Sequence, residues 1–163
     1  MILGMSVSTF TQLHVALSLA GIVAGLVVLA GFLRSRASGG VTAVFLATTI
    51  LTSATGFLFP TTQVLPSHIV GVISLAALVA AVVGLYNRHL AGPWRWIYVA
   101  AAVLALYLNV FVLVVQAFQK IPTLHALAPT QSDAPFVIAQ LVVLAAFAWL
   151  GARAVRSFHP VLA

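Results

Sequence analysis

Five apolar runs dominate this chain, each near the roughly 20 helical residues needed to cross a hydrocarbon core of about 30 Å. They fall at about residues 10–33, 41–59, 67–86, 94–119 and 135–153, with only short connections between most of them. A chain that is 63% hydrophobic and 5% charged, with a mean hydropathy of +1.21, is excluded from the ordinary soluble class. The pattern predicts an all-α polytopic membrane protein, one domain over 1–163 built as a bundle of five transmembrane helices.

Local signals set the expected boundaries. Thr9 and Gln12 have the T-x-x-Q form of a capping box at the start of the first span, and the basic, Gly-rich stretch RSRASGG ends it. Pro60 stops the second span and Pro66 precedes the third, with the polar turn TTQVLP between them. The fourth opens after Gly92-Pro93 at Trp94 and Trp96, which suit an interfacial aromatic belt. Ser132 or Asp133 can cap the fifth, with Pro135 tolerated in its first turn. The 15-residue connection KIPTLHALAPTQSDA is long for a bundle, and a one-turn interfacial helix is expected between Pro122 and Pro129. The opening MILGMSVSTF lacks the basic n-region of a secretory signal, so the first run is expected to be a retained span.

Charge is distributed with a clear sidedness. Threading the spans alternately puts Arg34, Arg36, Arg88, Arg95, Arg153 and Arg156 on one face and only Lys120 on the other. Because Lys and Arg near span ends favour the cytoplasm, the N-terminus is expected outside and the C-terminus inside. A bacterial inner membrane would make the outer face periplasmic. The formal charge of +6 reflects scarcity of acids, Asp133 being the only one, and the arginines form no single basic stripe. Nucleic-acid binding is therefore not expected.

The arginine-poor face collects the chemistry. His14, inside the outer end of the first span, and His68, at the outer end of the third, share that face, and His125 joins them from the long outer loop. Thr48, Thr52 and Thr55 form a hydroxyl stripe on the second span, Asn109 and Gln116 lie seven apart on the fourth, and Gln140 sits near the outer end of the fifth. Every span thus donates polar groups to the outer half, the third through His68 at its end alone. Intramembrane Thr commonly bonds its own i−4 carbonyl, and Asn or Gln commonly joins helices, so packing is the default reading of the Thr stripe and the amides. His89 and His159 read as ordinary interfacial groups. Gly21 and Gly25 make a GxxxG on the face carrying His14 and Ser18, which predicts a close helix contact there.

With no cysteine, imidazole is the only strong transition-metal ligand, and His14 with His68 is the candidate pair, His125 a candidate third ligand. Haem b or a His-ligated metal are the cofactors such a pair could hold. The single acid disfavours intramembrane proton relays, paired-carboxylate catalysis and oxygen-rich calcium or magnesium sites. Ser132 and Asp133 are adjacent and no nucleophile turn is recognisable, which disfavours a hydrolase.

The runs TSATGFLFP, GPWRWIYV, LYLNVFVLVVQAFQKIP and LAPTQSDAPF together resemble a group of small bacterial polytopic inner-membrane proteins with no assigned function. That resemblance implies a cell inner membrane location and transfers no activity. Three readings stay open: a binding or accessory protein whose outer pocket holds a metal, haem or small ligand, or docks a partner complex; a small transporter or channel for a neutral or weakly charged solute; and a haem-dependent redox protein. Expected partners are the lipid bilayer and a larger membrane complex or homo-oligomer.

Overall fold

The computed structural model describes residues 1–60 and 66–160. Its elements are α1 (Val7–Leu33), α2 (Gly39–Gly56), α3 (Pro66–Val82) with a π turn at Val83–Asn87, α4 (Trp94–Lys120), α5 (Pro122–Leu127) and α6 (Ala134–Ser157). Among the described residues there is no strand, only an isolated bridge between Ile2 and Met5. Five of the helices, all but α5, are long and apolar enough to cross a membrane. In hydrocarbon a helix satisfies its own backbone polar groups, which an open strand cannot do.

Boundaries differ from the sequence expectations where side chains compete for the helix ends. α1 begins a turn before the expected capping box: Ser6 is the N-cap, its Oγ accepting from the Thr9 amide at 3.1 Å, while Gln12 is exposed. α2 stops at Gly56, three residues short of the expected end. The amides of Phe57 and Leu58 fold back onto the Ala54 and Thr55 carbonyls, tightening the chain ahead of Pro60. At α6, Asp133 occupies the N-cap position without capping through its side chain. Its carboxylate instead accepts from the Thr130 amide at 2.7 Å and hydroxyl at 2.9 Å, closing the turn before the helix. The one-turn α5 lies where a short helix was expected.

The helices alternate in direction. On α1 and α2, His14 meets Thr55 and Gly25 meets Phe45; on α2 and α3, Ser53 meets Ser74; on α4 and α6, Tyr107 meets Phe147 and Phe118 meets Phe136. α1 to α4 form a closed ring of four, each packed on the next and α4 returning to α1, and α6 lies in the outer groove between α1 and α4. Half of α4's most apolar window is buried against 11% for α6, which makes α4 the inner helix and leaves α6 as the most exposed wall.

Small residues permit this closeness. A Cβ on Gly21 would sit 2.9 Å from Thr49 Oγ1, and one on Gly25 would sit 2.6 Å from Leu106 Cδ1 and 2.8 Å from Phe45 Cε2. The GxxxG is therefore a packing device in which α1 meets α2 and α4 together. Near the arginine end, Phe32 packs edge-on against Tyr98 (5.4 Å) and Phe158 (4.7 Å). There Arg95 donates to the carbonyls of Val155 at 3.3 Å and Phe158 at 2.5 Å, holding the end of α6 on the start of α4. Five of the six arginines lie at or beyond helix ends on this side and Arg153 about a turn inside α6, so the sidedness in the sequence becomes two distinct ends of the bundle.

Candidate functional site

At the opposite end, polar groups from four helices face one another. Ser18 on α1 donates its hydroxyl to Asn109 Oδ1 at 2.7 Å, and Asn109 Nδ2 donates back to the Ser18 carbonyl at 3.3 Å. Gly21, one turn below Ser18, gives the amide room, since a Cβ there would lie 3.3 Å from Asn109 Nδ2. Two bonds from one amide fix both its rotamer and the α1–α4 spacing, a stronger constraint than either bond alone.

His14 is held by α2. Its Nδ1 lies 2.8 Å from Thr55 Oγ1, and that hydroxyl also lies 2.7 Å from the Leu51 carbonyl and 3.2 Å from that of Thr52. A hydroxyl has one hydrogen, and carbonyls only accept, so Thr55 donates to its own helix and accepts from His14 Nδ1–H. In the neutral ring this tautomer leaves the acceptor lone pair on Nε2. Phe59 meets the ring edge-on at 5.2 Å and restricts its tilt. Ser53 of α2 and Ser74 of α3 share a hydrogen bond of 2.9 Å.

These groups surround a cavity of about 100 Å³ lined by His14, Ser18, Thr52, Ser53, Gly56, Ser67, Val70, Gly71, Ser74, Leu108, Asn109 and Val112. At about 30 Å³ for each water of the liquid, it accommodates some three water molecules or one very small solute. Thr52 is 9% exposed, and among the described residues its Oγ1 has no hydrogen-bond partner. It differs in this from Thr48 and Thr55, whose hydroxyls bond the carbonyls of Val44 and Leu51. One turn further toward the arginines, Phe45 and Leu106 close over Gly25, and Leu78 and Val99 are fully buried. Below the buried Thr49 hydroxyl the cavity is therefore closed by an apolar layer.

The structure gathers some of the sequence candidates and separates others. His14, Thr52 and Asn109 line the cavity, and Thr55 positions His14 from behind. Thr48 is bonded to its own helix and lies off the cavity. His68 stacks on Phe57 at 5.5 Å with 15° between the rings and is not part of the lining. Gln116 is half-buried outside it, and His125 is exposed on α5. Gln140 serves the α4–α6 contact, its Nε2 donating to the Phe111 carbonyl at 3.2 Å. Among the described residues no three His or acidic side chains come together in a way that could hold a metal ion, so His125 completes no site with His14 and His68.

From the third span the sequence singles out only His68, whereas the structure brings Ser67 and Ser74 of that span and Ser53 of the second to the cavity. Ser67 and Ser74 are seven apart, hence on one helical face, and that spacing was the available signal. Comparison of the chain with protein-family models, with curated proteins and with solved structures returns no match. The functional reading therefore rests on this geometry.

Proposed function

We propose that this chain is a multi-pass membrane protein of a bacterial inner membrane that binds a small neutral polar solute in the histidine-end cavity. Its N-terminus lies outside and its C-terminus in the cytoplasm, because six of its seven Lys and Arg residues lie at one end of the bundle. The cavity then opens from the periplasmic half. The observation that carries the reading is a cavity whose wall holds His14, Ser18, Ser53, Ser74 and Asn109 in hydrogen bonds, with the Thr52 hydroxyl, like Thr49 Oγ1 and Gln140 Oε1 away from the cavity, buried without a partner among the described residues. A buried hydroxyl left unbonded costs about 1–3 kcal/mol, and a bound solute or water removes that cost.

Size and chemistry narrow the ligand. At about 100 Å³ the cavity falls below the roughly 300–1,000 Å³ of drug-sized sites, so it suits a solute the size of urea, acetamide or glycerol. A porphyrin is larger than that, which counts against the haem readings. The lining offers both donors and acceptors and no carboxylate, a set suited to an uncharged ligand. The apolar layer of Phe45, Leu78 and Leu106 favours binding over conduction, because it interrupts the buried hydroxyls between Thr49 and Thr42 on the way to the arginine end. The test is thermal unfolding of the reconstituted protein with each of those three solutes. Saturable stabilisation by at least one, abolished when Val70→Phe fills the cavity, is expected; no stabilisation by any of the three would refute the reading.

A further inference from the structure

A second concavity lies at the other end and on another flank. Where α6 rests on α4, an apolar groove of about 510 Å³ runs between them, walled by Val103 and Tyr107 on α4 and by Phe147, Ala148 and Gly151 on α6. Arg156 lines its end. The groove exists because small residues bring the backbones together: a Cβ on Gly151 would sit 3.1 Å from Val103 Cγ1. Tyr107 and Phe147, with ring centroids 5.8 Å apart, wall its far part, and Leu144 lines it one turn beyond. From Arg156 to Phe147 the helix rises roughly 13 Å at 1.5 Å per residue, close to the depth of one leaflet of a hydrocarbon core about 30 Å thick.

The charge at the mouth has no counterpart within the chain's acidic side chains. The only one, Asp133, is at the opposite end and bonded to Thr130. Neighbouring arginines are engaged otherwise: Arg95 on the carbonyls ending α6, Arg88 over the Trp94 ring at 5.3 Å and Arg153 over Trp149 at 5.1 Å. Arg156 is exposed at the groove. We propose that this groove is a binding site for an anionic phospholipid, one acyl chain lying between α4 and α6 and the phosphate on the Arg156 guanidinium. A guanidinium presents a planar fork of donors matched to phosphate oxygens, an anionic headgroup leaves that phosphate's charge unopposed where a choline cation would offset it, and the groove supplies the apolar contact a chain needs. A second copy of the protein is a poorer occupant. A two-fold axis along the membrane normal would bring two arginine ends together with no acid between them.

The test is native mass spectrometry of the detergent-solubilised full chain titrated with a phosphatidylglycerol and a phosphatidylcholine of the same acyl chains, reading the dissociation constant of the first lipid bound. The phosphatidylglycerol is expected to bind about fivefold tighter, the factor that about 1 kcal/mol for one arginine corresponds to. Arg156→Gln removes that preference, and Arg34→Gln, at the same end but off the groove, retains it. Ala148→Phe, at an exposed position, fills the groove and weakens both lipids; if that variant fails to fold, the two arginine variants decide alone. Equal affinity for the two lipids in the unmodified chain would overturn the site. So would equal loss from Arg34→Gln and Arg156→Gln, which marks general surface attraction. A dimer broken by Ala148→Phe with phosphatidylglycerol binding unchanged would give the groove to a second copy.

Discussion

Replacing Thr52 by valine separates binding from packing because the two effects have opposite signs. The substitution keeps the branched shape and removes only the hydroxyl, whose oxygen is buried without a partner among the described residues. In the ligand-free protein the change relieves an unmet desolvation cost of about 1–3 kcal/mol, less whatever water in the cavity already returns, so a net gain of about 1 kcal/mol is expected. For a chain of this size that corresponds to a rise in unfolding temperature of about 2–4 °C. The bound solute loses one neutral hydrogen bond, worth about 0.5–1.5 kcal/mol, which weakens its dissociation constant by roughly two- to twelvefold. The assay pairs thermal unfolding without solute with binding of acetamide, urea and glycerol to the same reconstituted preparations. A variant that is less stable without solute would show that the hydroxyl has a protein partner. Unchanged affinity would show that the solute does not use it.

Other residues give independent checks. Gly25→Ala places a methyl 2.6 Å from Leu106 Cδ1 and 2.8 Å from Phe45 Cε2, and the overpacking is expected to cost about 1–3 kcal/mol in denaturant unfolding. A double-mutant cycle on Ser18→Ala and Asn109→Leu should give a coupling of about 0.6–1.7 kcal/mol, whereas additive costs would deny the α1–α4 clamp. Since the chain has no cysteine, single substitutions report sidedness cleanly. In intact cells Ser6→Cys should react with a membrane-impermeant maleimide and Ser38→Cys should not, and the reverse pattern would invert the proposed orientation.

The spans were legible because uninterrupted apolar runs of membrane length leave the chain few other ways to satisfy its backbone. Their ends were less so. Thr9 and Gln12 fit a capping pattern, but Ser6 one turn earlier has the same hydroxyl chemistry and takes the cap, and spacing alone does not rank the two. The π turn at Val83–Asn87 accompanies a tight approach, a Cβ on Gly84 falling 3.2 Å from Tyr98 Cβ. Such a contact is tertiary and leaves no periodic trace.

For the site, the sequence placed His14, Thr52 and Asn109 at one end but could not say which faces meet. Lateral helix order decides that, and it puts His68 against Phe57 while turning Ser53, Ser67 and Ser74 into the cavity. Gln116 and Gln140 illustrate the same limit: correct depth, different neighbours. The GxxxG was read correctly because its meaning, close approach, depends on residue size alone.

Equilibrium binding of radiolabelled acetamide, urea and glycerol to the reconstituted protein tests the central claim most directly. One saturable site per chain for at least one of them is predicted, weakened by Thr52→Val and lost in Val70→Phe. Uptake that never saturates for all three, or saturable binding that survives filling the cavity, would contradict it.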